Sequence, residues 1–248
     1  MVFETLKVSR EGPVLFVDIA VPPMNLLGPE LVRDLVSLIQ QAEADNAVRV
    51  LVFRSADPDY FISHVDVTRI TEYREEAAKL VGEASIGLLF RRLSASRLVS
   101  IAQIEGRARG AGSEFVLACD MRFAARESAI FGQPEAGTGV SPGAGGVQHL
   151  ARLMGRGRAL EVLLSAQDYD AELAERYGWI NRALPAKELR NFVRSLIGSP
   201  SSRPPVWSRS RIASMRWRSR RLRTSVVIPI SSAKARSIRK PKGVSRPR

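Results

Sequence analysis

The chain of 248 residues is long enough for one α/β domain with a sizeable core, and its positive charge is concentrated at one end. Residues 1–195 carry 23 basic and 25 acidic side chains, whereas residues 196–248 carry 15 basic and no acidic ones, so the net charge of +13 reflects the tail. The lone cysteine, Cys119, excludes an internal disulfide and is typical of a reducing compartment, so we expect a cytoplasmic location. No apolar run approaches the roughly 20 residues of a membrane helix and no secretory signal is visible, so we expect no membrane partner.

The first predicted elements form a β-α-β opening. Residues 14–19 are rich in β-branched side chains and predict a strand, which the loop at residues 22–25 ends. Apolar residues at helical spacing between residues 31 and 42 predict a helix behind Gly28-Pro29. An apolar run at residues 48–53 then predicts a buried parallel strand.

The middle of the chain continues this alternation. Residues 72–92 predict a long, charge-rich helical region, and residues 98–104 predict another buried strand. A glycine-bearing turn at residues 106–112 leads into a predicted helix from residue 113 to about residue 119. Further short strands are predicted at residues 121–124 and 129–131.

The last part of the predicted core is mostly helical. Residues 143–177 predict helices, and a final helix is predicted at residues 187–196. Strands that alternate with helices indicate an α/β fold. Residues 196–248 contain 12 serines and no sustained hydrophobic period, so we predict a core at residues 1–195 and an atypical tail at residues 196–248.

Two turns that follow strands are candidates for binding negative charge. Residues 60–66 offer consecutive backbone amides, and residues 109–114 contain small side chains that let the backbone approach a ligand closely. Amides at helix N-termini favour negative charge. Two such turns facing each other would suit an enolate oxygen, because their amides would already point at the developing charge.

Two carboxylates accompany these turns. Glu114 lies in the first turn of its predicted helix, and Glu135 lies in the loop at residues 132–135, so the pair could serve as general acid and base. The alternative is structural, because acids are common in the first turn of a helix and a loop glutamate is usually solvated. Spacing alone favours the structural interpretation.

Several segments, in order along the chain, resemble motifs of the crotonase (enoyl-CoA hydratase/isomerase) superfamily. Residues 61–67 are similar to its phenylalanine-x-alanine-glycine-x-aspartate turn, and residues 110–114 resemble its glycine-rich turn with the catalytic glutamate. Residues 131–135 and 142–146 resemble its second catalytic region, and residues 170–181 are similar to its late helix and turn. The resemblance implies an α/β, crotonase-like (ClpP/crotonase) fold of repeated β-β-α units.

The resemblance also implies an acyl-CoA-processing enzyme, foremost a hydratase that adds water to a 2-enoyl-CoA thioester through an oxyanion-stabilised enolate. The Ser63 and Ala111 N–H groups would form the oxyanion hole. Glu114 and Glu135 would share the water, with Glu135 delivering a proton to the α-carbon. Coenzyme A enters as part of the substrate, and no metal or redox cofactor is implied. Substrate or coenzyme A contacts are implied for Met24, Asn25, Leu26, Ile62, His64, Val65 and Asp66.

Two positions depart from the superfamily pattern. His64 replaces the usual glycine of the first turn, and Ala111 replaces the central glycine of the second. Both keep their backbone amides, but the added side chains would narrow the acyl pocket. An isomerase, a thioester hydrolase and a catalytically defective paralogue therefore stay as alternatives. Arg107 and Arg109 are interpreted as a solvated basic pair, with phosphate contact as the alternative.

The tail has three competing explanations: a nucleic-acid-binding extension, a disordered segment, or a change of reading frame. Enrichment in serine and arginine with loss of all acids favours the frame change, and shifted reading across residues 213–217 can give a family-like helical segment. Nucleic-acid binding is not expected, because only Trp207 and Trp217 offer stacking surfaces there. The resemblance implies a homotrimer or a dimer of trimers, and a tail without the closing helices would weaken that assembly and catalysis.

Overall fold

In a computed structural model, residues 3–198 are described, and their framework is a six-stranded sheet. Its strands pair in parallel except for the first two, which form an antiparallel hairpin. Across the sheet the order is β1 (Leu6–Glu11), β2 (Val14–Ile19), β3 (Val50–Ser55), β5 (Val99–Ile104), β7 (Met121–Ala125) and β10 (Arg182–Leu184).

A second, smaller sheet is built from three-residue strands. Its order is β4 (Tyr60–Ile62), β6 (Arg107–Arg109), β8 (Ile130–Gly132) and β9 (Asp168–Asp170). The first three strands are parallel, and β9 pairs antiparallel with β8. Because β3, β5 and β7 each precede a strand of this sheet, the chain alternates between the two sheets before each helical segment, which gives repeated β-β-α units.

Seven α-helices are found within residues 3–198. They are α1 (Pro29–Ala44), α2 (Ile70–Val81), α3 (Ile86–Ser94), α4 (Ala111–Ala118), α5 (Gly146–Ser165), α6 (Ala171–Tyr177) and α7 (Ala186–Ile197). A short 3₁₀ segment, Pro134–Thr138, precedes α5. Among the described residues, none of these helices is long and apolar enough to cross a membrane.

The core is centred on Phe115, on α4. Its ring lies 5.0 Å from that of Phe53 in the large sheet, 6.3 Å from that of Phe61 in the small sheet and 5.5 Å from that of Phe90 on α3, measured between centroids. All four side chains are buried. Aromatic contacts of this kind add to the burial of apolar area, so one residue of α4 ties both sheets and a neighbouring helix together.

The observed elements confirm the predicted α/β class and refine several boundaries. The predicted helical region at residues 72–92 is divided into α2 and α3. Gly82 takes a left-handed conformation with φ of +80°, which ends α2. The Ser85 side chain then accepts a hydrogen bond from the Leu88 N–H and caps α3.

Short strands were missed in the sequence. The predicted turn at residues 106–112 contains β6, and the predicted helical stretch at residues 143–177 contains β9. The prediction that residues 1–195 form a separate core stays a prediction, and α7 continues to Ile197. The predictions for the tail lie almost wholly outside the described residues, which end at residue 198.

Candidate active site

Three neighbouring parallel strands end at one edge of the small sheet, and each leads into a candidate site residue. Ser63 follows β4, Ala111 follows β6, and Glu135 follows β8. Because carboxyl ends of parallel strands meet at the same edge, segments distant in sequence are brought together there. A cavity of about 610 Å³ lies at this edge. Its lining includes six residues implicated by the sequence: Ser63, His64, Val65, Ala111, Glu114 and Glu135.

The two turns approach each other because the second one contains glycine. A Cβ atom added to Gly112 would lie 2.0 Å from the carbonyl oxygen of Ile62, a distance that no real side chain tolerates. Gly110 has φ of +53°, in the left-handed region that favours glycine. Within residues 3–198, neither the Ser63 N–H nor the Ala111 N–H donates a hydrogen bond. Two unpaired amides therefore flank the cavity.

Glu114 is almost completely buried and is held by backbone groups. Its Oε1 accepts hydrogen bonds from the N–H groups of Ala144, at 2.7 Å, and Gly146, at 2.8 Å. Burial raises the pKa of this carboxyl group to about 7, while the two N–H donors oppose the rise and the charge of Glu135 adds to it. A carboxyl group with such a pKa can exchange a proton near neutral pH.

Glu135 lies in a more open setting, within the 3₁₀ segment, and is half-buried. Burial raises the pKa of Glu135, whereas its own backbone N–H and the charge of Arg109 act in the opposite direction. Its Oε1 lies 3.2 Å from the position that a Cβ on Gly110 would take. The glycine therefore leaves room for Glu135 at the edge of the second turn.

Gln133 and Ser113 complete the surroundings of Glu135. With the Gln133 amide nitrogen facing Glu135, this nitrogen donates to the two carboxylate oxygens at 3.0 and 3.2 Å. The Gln133 oxygen then accepts a hydrogen bond of 3.0 Å from the Ser113 hydroxyl group. Sequence reasoning missed both residues, although Gln133 precedes Glu135 by two positions in a segment already singled out.

Arg107 is exposed, as the interpretation of a solvated pair predicts, whereas Arg109 is partly buried and has an acidic partner. The guanidinium group of Arg107 lies over the Tyr60 ring, 5.6 Å from its centroid. The Nε of Arg109 lies 2.7 Å from Oδ1 of Asp168, which is an ion pair between β6 and β9 although the geometry is not that of a hydrogen bond. Arg109 can reach Asp168 because β6 and β9 flank β8 in the small sheet.

The predicted coenzyme A loop lies beside the first turn but outside the cavity lining. A parallel bridge joins Leu27 to Val65, through hydrogen bonds of 2.9 and 3.1 Å. The Asn25 side chain is buried and points into the protein: it accepts from the Val21 N–H and donates to Ser55 Oγ and the Tyr60 carbonyl oxygen. The predicted contact residues absent from the lining are Met24, Asn25, Leu26, Ile62 and Asp66.

His64, which stands where the superfamily has glycine, does line the cavity. Its Nδ1 lies 2.6 Å from the carbonyl oxygen of Val65, and this contact fixes the ring when Nδ1 carries the proton. Its Cβ is 3.7 Å from the position of a Cβ on Gly110, so the imidazole stem lies beside the second turn. The added side chain thus occupies space next to the two unpaired amides.

Within the described part of the chain, the site has no set of side chains arranged to bind a metal ion. No group of three or more histidine, cysteine, aspartate or glutamate side chains within residues 3–198 is arranged to hold an ion. Cys119 is buried, and burial raises the pKa of its thiol. This cysteine is therefore a poor nucleophile.

Comparison with known proteins agrees with this geometry. The family model described as "Enoyl-CoA hydratase/isomerase" matches residues 9–226, which includes part of the segment interpreted as a tail. The short-chain-enoyl-CoA hydratase of Clostridium acetobutylicum is 32% identical over 199 residues, covering 80% of this chain and 76% of that protein. The crotonyl-CoA hydratase of Syntrophomonas wolfei is 31% identical over 200 residues, covering 80% of this chain and 76% of that protein.

Solved structures give the same result. A structure of an enoyl-CoA hydratase homologue from Streptomyces avermitilis is 54% identical, with a TM-score of 0.81, and covers 86% of this chain and 78% of that one. An enoyl-CoA hydratase from Geobacillus kaustophilus is 26% identical, with a TM-score of 0.72 and coverage of 79% and 74%. The resemblance and the crotonase-like fold predicted from the sequence are confirmed. The chain belongs to the enoyl-CoA hydratase/isomerase family, the acyl-CoA-processing enzymes of the crotonase superfamily.

Proposed function

We propose that this enzyme adds water across the double bond of a 2-enoyl-CoA thioester, with Glu114 and Glu135 as its acid–base pair. The observation that carries the proposal is the convergence of both carboxyl groups with two unpaired backbone amides on one cavity. Relatives at 31–32% identity are hydratases, which supports this reaction over the other reactions of the superfamily.

The N–H groups of Ser63 and Ala111 would bind the thioester oxygen. Attack at the β-carbon moves negative charge onto that oxygen, and donors already aimed at it lower the barrier without reorganisation. Gly112 is essential for this arrangement because it allows α4 to begin directly against the end of β4.

The two glutamates would transfer the two protons of the reaction. One O–H bond of water breaks as its oxygen bonds to the β-carbon, and Glu114 in its ionised form accepts that proton. Glu135 delivers a proton to the α-carbon, so the C=C bond becomes single and the enolate collapses. Proton exchange with solvent then restores the pair. A Glu114 pKa of about 7 suits this task, since both protonation states are populated near neutral pH.

The test is hydration of trans-2-butenoyl-CoA, followed by loss of the absorbance of the conjugated thioester. Glu114→Gln and Glu135→Gln should each lower kcat by about 10²- to 10⁴-fold. Glu83→Gln is the matched control, because Glu83 is exposed and does not line the cavity. Full activity in either active-site variant, or release of free thiol by the wild-type protein without hydration, would contradict the proposal.

Assembly into a homotrimer or a dimer of trimers is part of the same proposal. The outer surface of α5 supports it, since Leu153, Leu160 and Leu164 are exposed apolar side chains that a neighbouring copy would bury. Sedimentation velocity on the full chain should give the mass of three or six copies. A monomer at micromolar concentration would contradict it.

We also propose a cytoplasmic location. The single free thiol, Cys119, is buried and unpaired with another cysteine in the described part of the chain, as in many proteins of reducing compartments. Fractionation of the source cells, followed by immunodetection, tests this. Recovery in a membrane or secreted fraction would contradict it.

A further inference from the structure

One basic side chain that lines the cavity lacks an acidic partner. Of the two arginines in the lining, Arg109 is paired with Asp168, whereas Arg74 has no ion pair within residues 3–198. Arg74 lies on α2 and is exposed. Its guanidinium group therefore presents five N–H donors to solvent and to whatever enters the cavity.

The sequence of α2 explains why Arg74 stands alone. Side chains three or four positions apart on a helix are neighbours, and those of Arg74 are Ile70, Thr71, Ala77 and Ala78, none of which is acidic. The other basic residues near this helix do have acidic partners. Arg69 pairs with Glu30 and Glu72, and Lys79 pairs with Glu76.

The surroundings of Arg74 in the cavity are largely apolar. Ile70 and Val67 line the cavity from the same side of the chain, and Ile86 and Val140 line it from α3 and from the loop before α5. Val67, Ile70 and Val140 are exposed large apolar side chains. Such a surface suits the carbon chain of an acyl group, and an unpaired guanidinium beside it suits an anion.

We propose that Arg74 binds a carboxylate at the distal end of the acyl chain, so that the preferred substrates are 2-enoyl-CoA thioesters of dicarboxylic acids. This substrate class rests on the proposed function, because it assumes that the acyl group occupies the cavity beside Glu114 and Glu135. Arginine suits the role better than lysine would, since its planar fork contacts both oxygens of a carboxylate at once.

The phosphate groups of coenzyme A are a second source of negative charge, and the ligands can be chosen to separate the two. Glutaryl-CoA and adipoyl-CoA end in a carboxylate, whereas pentanoyl-CoA and hexanoyl-CoA have the same chain lengths and end in a methyl group. All four are saturated, so they bind without reacting, and their dissociation constants do not depend on catalysis. The corresponding pantetheine thioesters lack the nucleotide phosphates.

The experiment is calorimetric titration of the full chain and of three variants with these ligands. The wild-type protein should bind the carboxylate-ended thioesters more tightly than their methyl-ended counterparts. Arg74→Gln should weaken binding of the carboxylate-ended ligands by about tenfold and of the methyl-ended ligands by less than about twofold. Arg74→Lys should recover part of the loss. Arg91→Gln, which removes an exposed charge outside the cavity lining, should have no effect.

Three results would overturn the proposal. The first is a wild-type protein without preference for the carboxylate-ended ligands, a result that needs no variant. The second is an equal loss for both ligand types in Arg74→Gln that disappears with pantetheine thioesters, which would assign Arg74 to the coenzyme A phosphates. The third is unchanged binding in Arg74→Gln. Failure of the hydratase proposal is seen separately, as absent hydration of both trans-2-butenoyl-CoA and its carboxylate-ended counterpart 2-pentenedioyl-CoA by a protein that still binds the saturated ligands.

Discussion

Glu114 and Glu135 line the same cavity but are held in different ways. Glu114 is buried at the start of α4, and its carboxylate accepts hydrogen bonds from the backbone N–H groups of Ala144 and Gly146. Glu135 is half-buried in a 3₁₀ segment, and its carboxylate is contacted by its own backbone N–H and by the side chain of Gln133, which is held in turn by Ser113.

The difference determines how easily a substitution can remove the hydrogen-bond donors of each glutamate. Backbone donors stay in place whatever side chain their residue carries, so the setting of Glu114 depends on the path of the chain and on glycines that permit it. A Cβ on Gly146, for instance, would lie 3.2 Å from Glu114 Oε1. The setting of Glu135 depends on a side chain that a single substitution removes.

The largest expected effect comes from distorting the backbone that positions Glu114. Gly112→Ala would place a methyl group 2.0 Å from the Ile62 carbonyl oxygen, and this backbone atom has little freedom to move. We expect a loss of more than about 3 kcal/mol in the free energy of unfolding, because overpacking against backbone forces larger shifts than overpacking against a side chain. Hydration should be lost with it. Denaturant unfolding and the butenoyl-CoA assay measure both quantities.

Gly157→Ala is the control for that substitution. Gly157 lies within α5, and nothing is found within 4 Å of the Cβ that an alanine would add. Alanine should stabilise the helix there by about 0.5–1 kcal/mol. Equal stability changes in the two variants would show that the contact between the two turns is not tight.

Four of the six strands of the large sheet could be read from the sequence because they carry a strong signal, whereas β1 and β10 were not predicted. Residues 14–19 coincide with β2, and the apolar runs at residues 48–53 and 98–104 overlap β3 and β5. Long, buried, β-branched segments leave few alternatives. Of the small sheet, only β8 overlaps a predicted strand, at residues 129–131. The others were missed because a strand such as Tyr60–Ile62 or Arg107–Arg109 is too short to show a period.

The candidate site was predicted in part. Two glutamates and two small-residue turns stood out by their position before helices, and family motifs linked them. Nothing local in the sequence indicates that Arg109 reaches Asp168, since this ion pair depends on how β6, β8 and β9 pair. Contacts across a sheet between distant segments require the fold itself.

A smaller effect is expected on the pH dependence of the free energy of unfolding, which should differ between the two glutamates. Burial raises the pKa of Glu114 from 4.5 to about 7. The folded state therefore binds the proton more tightly than the unfolded state, and the wild-type protein loses stability as pH rises from about 4.5 through 7. Glu114→Gln cannot ionise, so its stability relative to wild type should improve by roughly 3 kcal/mol between pH 4.5 and pH 8.

Glu135→Gln is the comparison for that measurement. The pKa of Glu135 is also raised, so the sign is the same, but this group is more exposed and the change with pH should be smaller. Chemical unfolding at four or five pH values gives both curves. Parallel curves for wild type and Glu114→Gln would mean that Glu114 is not desolvated in the fold.

The smallest expected effect comes from removing the support of Glu135. Gln133→Leu keeps a buried side chain of similar size but removes the N–H groups that face the carboxylate. Donors to an ionised carboxylate lower its pKa, so their loss should raise the pKa of Glu135 further. We expect kcat to fall by about tenfold and the limb of the pH profile that reports Glu135 to move to higher pH.

Hydration rates measured from pH 5 to pH 9 test this prediction, with Gln148→Leu as the control. Gln148 is exposed on α5 and does not line the cavity, so the same exchange there should leave both the rate and the pH profile unchanged. Ser113→Ala should resemble Gln133→Leu in direction but be weaker, because it acts on Glu135 only through the Gln133 amide. If Gln133→Leu slows hydration without moving a limb of the profile, Gln133 fills space beside Glu135 and does not set its protonation. Both glutamates would then be held chiefly by the chain path, and the contrast between them would be one of burial alone.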